Sequence, residues 1–164
     1  MIIVSDTSPI SALLKCNQIH LLHSLYSTII IPTKVFDELL VLEKAGVNVR
    51  GDLKKSWVKI LAPKDEIRVK SFYNLVDEGE AEAIVLALEL HAELLLMDDL
   101  AGRELAKENG LATKGLLGIL VEAEKKKLLP DAKRLADELR DNGIIWVSER
   151  VYEVFLNALK NIRR

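Results

Sequence analysis

The chain has 164 residues, with 23 Lys and Arg against 25 Asp and Glu and a formal net charge of -2. At roughly 150 residues per domain this length reads as one domain, and the near-balanced charge excludes a simple basic nucleic-acid coat and a polybasic membrane binder. Apolar residues make up 49% and charged residues 29%, the mix of a folded domain rather than a disordered tail.

The elements alternate along the chain. Ile2-Ile3-Val4-Ser5 reads as a first buried strand, followed by helices over Ser8 to Lys15 and Ile19 to Tyr26. Thr28-Ile29-Ile30-Ile31 is a second strand, stopped by Pro32, and a helix runs from Lys34 to Lys44. Trp57 to Leu61 is a third strand. A helix over Glu80 to His91 then leads into a fourth strand, Leu94 to Met97. Leu100 to Asn109 ends at Gly110, and Leu111-Ala112-Thr113 is a short fifth strand. Helices over Leu116 to Lys127, Asp131 to Asp141 and Ser148 to Lys160 complete the chain. Strands alternating with helices predict an α/β fold with a parallel sheet. No linker or repeat interrupts it, so residues 1–164 are read as one domain, with the helices from about residue 130 packing on it.

Cellular context follows from what is missing. The single cysteine, Cys16, excludes an intramolecular disulfide and fits a reducing compartment. No run reaches the ~18 apolar residues of a membrane span, and Met1 to Asp6 lacks the charged start of a signal peptide. A cytoplasmic protein without membrane partners is expected.

A doubly wound sheet places its crevice beyond the carboxyl ends of its strands. Asp6 directly follows the first strand, and Asp98 and Asp99 directly follow the fourth, so parallel pairing would bring them to one edge. Each also has a bland reading as a helix cap or turn residue. Helix geometry separates Glu80 from Glu82, because residues two apart lie about 200° apart around the axis. Glu82 falls on a stripe with Glu78, Glu89 and Glu93, the pattern of a solvated face. Glu80 shares its stripe with Ala83, Ile84 and Ala87 and faces inward, where an acid needs compensation by a cation or by the helix N-terminus. The same test turns Asp37 away and leaves Glu38 at the edge of an apolar face. Asp6, Glu38, Glu80 and Asp98/Asp99 are thus a candidate cluster of hard oxygen ligands, suited to Mg²⁺ or Mn²⁺ and to hydrolysis of a phosphodiester.

Four segments together resemble a PIN-domain ribonuclease: Val4-Ser5-Asp6-Thr7-Ser8-Pro9, Pro32 to Glu38, Asp77 to Ile84, and Leu95 to Asp99. Gly79-Glu80-Ala81-Glu82-Ala83 and Asp98 to Arg103 resemble more narrowly a prokaryotic branch akin to VapC-type toxins of toxin–antitoxin pairs. The resemblance implies a three-layer α/β/α sandwich with a mainly parallel sheet of four to five strands, and Mg²⁺- or Mn²⁺-dependent cleavage of RNA. It implies Asp6 as first metal ligand, Glu38 and Glu80 as further acids, and Asp99 as the last, with Asp98 beside it as a ligand or supporting group. Thr7 would orient Asp6 or a bound water. A homodimer and a small inhibitory antitoxin are the implied protein partners.

Where the family pattern leads one to expect Gly-Thr-Leu-Gly, this chain reads Gly115-Leu116-Leu117-Gly118. The missing hydroxyl keeps open a second reading, a catalytically weak PIN-like module that acts by binding a protein or RNA partner. Arg103 and Lys114 are the nearest candidates for contacting substrate phosphates. His20 and His23 have a metal-compatible spacing but no third ligand nearby, and are read as surface or packing residues.

Overall fold

Five short strands form one sheet in the computed structural model, which describes residues 1–164. They are Ile3–Ser5 (β1), Ile29–Pro32 (β2), Val58–Leu61 (β3), Leu94–Leu96 (β4) and Thr113–Lys114 (β5). Their order is β3-β2-β1-β4-β5 and every pairing is parallel, with Val4 opposite both Ile30 and Leu95. All carboxyl ends therefore open onto one edge. The inner strands β1, β2 and β4 are buried on both faces, while the edge strand β3 exposes Lys59 and Leu61. Val4, Ile30, Leu95 and Met97 belong to one buried cluster, while the alternate residues Ile3, Ile31 and Leu96 are also fully buried. The sheet is flanked by helices, the α/β/α arrangement that the family resemblance implies.

The chain divides into two compact units, residues 1–114 and 115–164. The first holds the sheet and seven helices: Thr7–Lys15 (α1), His20–Tyr26 (α2), Thr33–Leu40 (α3), Val49–Leu53 (α4), Glu66–Ser71 (α5), Glu78–Glu89 (α6) and Leu100–Glu108 (α7). α6 carries Ala81, Ala83, Ile84, Val85, Leu86 and Ala87 into the core beside Val4, Ile30 and Leu95. Its small residues let a helix lie close against the sheet.

Several elements differ from the periodicity, among them the last strand, which is Thr113–Lys114 rather than Leu111 to Thr113. The stretch expected as one helix to Lys44 ends its α-helical part at Leu40 and continues as a 3₁₀ turn over Val41–Ala45, closed by Gly46 at φ 87°. A left-handed residue ends the turn as a glycine can and few others do. Two further helices, α4 and α5, are too short for a helical period to register. Each is marked instead by its N-cap: Asn48 accepts from Gly51 N, and Asp65 accepts from Arg68 N.

The second unit contains Leu116–Lys125 (α8), Ala132–Asp141 (α9) and Glu149–Ile162 (α10). Ile119, Leu120, Ala123, Leu135, Ala136, Leu139, Phe155 and Leu159 are buried along their inner faces. A paired contact closes the unit: Arg163 Nε and Nη2 donate to Glu124 Oε2 and Oε1, each at 2.8 Å. The same Glu124 Oε1 accepts from Ala132 N at 2.9 Å, at the start of α9. No helix of the protein is long and apolar enough to cross a membrane.

Candidate active site

Asp6 stands at the N-cap position of α1, one residue beyond β1, but its side chain makes no capping bond to the helix. Its backbone N donates to Leu96 O at 2.9 Å, which ties the end of β1 to the end of β4. The side chain is only 3% exposed, and Asp6 and Ser5 are the only buried polar residues of the chain. Burial pushes the Asp6 carboxyl up to about 8, and the carboxylates of Glu80, Asp77 and Glu38 push the same way against the lowering effect of the Thr7 N–H. Three carboxylates from two other places in the sequence thus bear on one buried acid.

Glu80 is the third residue of α6 and takes part in a capping box. Asp77 Oδ1 accepts from Glu80 N at 2.8 Å, and Glu80 Oε2 accepts from Asp77 N at 3.0 Å. The cap uses one oxygen of the Glu80 carboxylate. Burial raises that carboxyl to about 7, with Asp77 and Asp99 adding repulsion. Glu80 is thus a capping residue whose carboxylate also feels the charges of Asp77 and Asp99.

Glu38 comes from α3, and its Oε2 accepts from Thr7 Oγ1 at 2.6 Å. The Thr7 hydroxyl is thus on Glu38 rather than on Asp6. The Glu38 carboxylate also lies against Gly79, the second residue of α6, with almost no space between them. Asp99 caps α7 through Oδ2, which accepts from Gly102 N at 2.9 Å, and Asp98 is exposed in the same connection. Asp6, Glu38, Glu80 and Asp99 accordingly come to the carboxyl edge of the sheet from α1, α3, α6 and α7.

Sequence periodicity misplaces Glu82. It is half-buried, accepts from the Lys34 backbone N–H and sits beside the Lys34 charge, with its carboxyl raised chiefly by burial. Its stripe-mates are engaged as well. Glu78 pairs with Lys34 at 3.1 Å, and Glu89 accepts from Lys64 N and Asp65 N at 2.8 and 2.7 Å. The supposed solvated face is a seam that joins α6 to α3 and to the start of α5. A helical wheel gives the direction of a side chain and not the element it meets.

Asp77, Gly79 and Lys34 do not emerge as site residues from charge patterning. The signal for the first was present in Asp77-Glu78-Gly79-Glu80, an acidic form of the capping-box spacing.

A family model for the PIN domain matches residues 2–161. The chain belongs to the PIN-domain family. Among solved structures, it is similar to a PilT N-terminus domain protein from the hyperthermophilic archaeon Sulfolobus solfataricus P2, with 24% identity and a TM-score of 0.52 over 75% of this chain and 93% of that one. That likeness shows the fold. No curated protein matches the chain. PIN domains are generally nucleases and typically depend on divalent metal, so the residues of this PIN domain can be tested for their fit to such an ion.

The donor set fits in chemistry. It consists of carboxylate oxygens, and Asp6, raised to about 8 by burial and further by three acidic neighbours, is crowded negative charge that a hard divalent cation would relieve. No three Asp, Glu, His or Cys side chains stand close enough together to hold an ion as they are placed. In this PIN domain His23 is engaged elsewhere: it stacks on Trp57 at 5.2 Å and its Nδ1 meets Ser27 O at 2.7 Å.

Of the candidate phosphate contacts, Arg103 donates through Nε to Thr113 Oγ1 at 3.2 Å, which joins α7 to β5. Lys114 ends β5 half-buried, and its carbonyl accepts from Met97 N at 3.0 Å. Leu116 is 2% exposed at the first position of α8. In this PIN domain the position expected to carry a hydroxyl is a core position.

Proposed function

We propose that this protein is a divalent-metal-dependent endoribonuclease that hydrolyses RNA phosphodiester bonds. The observation that carries the reading is the pair Asp6 and Glu80, raised to about 8 and about 7 at the open edge of a parallel sheet. Structural acids are normally satisfied by a cation or a cap. Asp6 makes no capping bond and faces other carboxylates. Such arrangements cluster at functional sites.

Asp6 and Glu80 would hold Mg²⁺ or Mn²⁺, with Asp99 and Asp98 at the fourth corner and Glu38 completing the acidic edge. The ion supplies Lewis acidity, which lowers the pKa of a water and offsets charge developing on the phosphate. The chain's own residues do the rest. With their carboxyls raised to about 8 and about 7, Asp6 and Glu80 would hold protons as pH approaches neutrality and would give them up in binding a cation. Thr7 fixes the direction of Glu38. Asp77 fixes Glu80, and Gly102 N–H fixes Asp99. Arg103 and Lys114, at the same edge, are the candidates to meet the flanking phosphates.

Residues 1–164 act in this reading as one PIN domain, supported by a family match that runs through both compact units. A toxin role, cytoplasmic action, a homodimeric state and a small antitoxin partner are part of the proposal. They rest on the likeness of the Gly79–Ala83 and Asp98–Arg103 segments to the VapC-type branch.

A Mn²⁺ titration followed by an RNA cleavage assay tests the reading. Saturable Mn²⁺ binding, with cleavage that Asp6→Asn or Glu80→Gln abolishes, is the expected result. Cleavage by Asp6→Asn equal to wild type would overturn the catalytic assignment. RNA binding without Mn²⁺ binding or cleavage would favour the binding module.

A further inference from the structure

Gly79 is an unexpected residue for its place. It lies at the second position of α6, buried, between Glu78 and Glu80 in a helix otherwise rich in good helix formers. Glycine is the poorest helix former after proline. Nothing in the backbone asks for it, since Gly79 is not among the residues with positive φ, in contrast to Gly46, Gly110 and Gly143. The reason must be room.

The room has one occupant. A Cβ built on Gly79 would stand 2.6 Å from Glu38 Oε1, 2.7 Å from Oε2 and 2.9 Å from Cδ, and these are its three nearest atoms. Such separations are below any real carbon–oxygen contact, so a side chain at 79 would evict the Glu38 carboxylate. What Gly79 spares is neither backbone nor an apolar core atom. It is the far end of a flexible side chain, which could turn away without disturbing the fold.

The carboxylate is also held from the other side. Thr7 Oγ1 donates to Glu38 Oε2 at 2.6 Å, so the group is gripped between α1 and the N-terminal turn of α6. That turn favours a negative charge. The helices themselves are locked in register by the Lys34–Glu78 ion pair and by the Lys34 backbone N–H donating to Glu82. Glu38 is therefore held where the Thr7 hydroxyl and the open space at Gly79 meet.

We propose that Gly79 is a positioning residue: its missing side chain holds open the slot in which Thr7 and α6 fix the Glu38 carboxylate at the acidic edge. The functional meaning of the slot rests on the nuclease reading above, whereas its existence does not.

Two measurements on the full chain separate these. In Mn²⁺-dependent RNA cleavage, Gly79→Ala lowers kcat about ten- to a hundredfold with KM within about twofold, since a small misplacement in a site costs rate before binding. In a Glu38→Asp background, whose shorter side chain leaves space for a methyl group, the loss from Gly79→Ala shrinks to less than about threefold. Equal losses in both backgrounds would overturn the proposal.

The second measurement needs no activity. Metal-free thermal unfolding is compared for wild type, Gly79→Ala, Glu38→Ala and the double variant. With Glu38 truncated, alanine at 79 raises the melting temperature by about 2 °C or more beyond its effect in the wild-type background, because helix propensity is gained with no carboxylate to evict. Additive shifts would overturn the slot. If the wild type does not cleave RNA but the melting cycle is non-additive, the nuclease reading fails and the slot stands.

Discussion

Thr7 and Glu38, 31 positions apart, are joined by a 2.6 Å hydrogen bond in which the hydroxyl donates to the carboxylate. The bond links the first residue of α1 to the middle of α3. Both residues are half-buried, so its loss alters orientation more than stability. Thr7→Val, which keeps the shape and removes the donor, should destabilise the protein by about 1–2 kcal/mol and reduce Mn²⁺-dependent cleavage at least about tenfold. Thr7→Ser should keep most activity. Melting curves and kcat of the two variants, compared side by side, check this.

The metal-free protein should lose stability as pH rises through neutrality. Asp6 goes from 3.8 to about 8 on folding and Glu80 from 4.5 to about 7, so the folded state binds protons more tightly than the unfolded state. The stabilisation from these two groups is complete below their unfolded values and vanishes as pH passes about 7 and then about 8. Thermal unfolding in chelator should show a falling melting temperature between pH 5 and pH 8.5. A flat or rising profile would contradict the placement of Asp6.

Asp6→Asn sharpens the same point. The amide cannot ionise, so the variant should match the wild type near pH 4 and exceed it at pH 8.5 without metal, by on the order of a few kcal/mol. Added Mn²⁺ should stabilise the wild type at pH 8.5 and leave Asp6→Asn unmoved. Differential scanning calorimetry at two pH values, with and without the ion, measures both effects.

The Arg163–Glu124 contact should matter to the three-helix unit and not to cleavage chemistry. Glu124 is held below the usual carboxylate range, first by Arg163, and it also takes the Ala132 N–H. Glu124→Ala removes both contacts and should cost about 1–3 kcal/mol. Arg163→Ala removes the paired bond to Glu124 and a longer contact to Asp131 at 3.4 Å, made by a side chain 47% exposed, and should cost about 1 kcal/mol or less. Chemical denaturation of the pair decides the ranking.

Much of this was readable in the sequence. Apolar runs placed the inner strands β1, β2 and β4 within a residue, because a strand buried on both faces leaves a continuous signal, whereas β5 lies at Thr113–Lys114 rather than Leu111 to Thr113. Acids directly after the first and fourth runs located the edge to which Asp6 and Asp99 both come. Other features were hidden for physical reasons. Glu82 looked solvated because its partner, the Lys34 backbone N–H, belongs to a helix that periodicity cannot place beside it. The destination of the Thr7 hydroxyl depended on where α3 lands. Gly79 carried no charge to notice, and its role is legible only once the Glu38 carboxylate is seen filling the space.

The position of β1 sets an order of events during synthesis. It is an inner strand, with Val4 paired to Ile30 on one side and Leu95 on the other, and Asp6 N bonds to Leu96 O. A nascent chain that has emerged only as far as β3 can form β1-β2-β3 but has no β4 against which Asp6 can be set. The acidic edge is assembled only when Leu94 to Asp99 leave the ribosome. A growing chain therefore stays without the complete edge while most of its first unit is being made, even though Asp6 is translated well before Asp99.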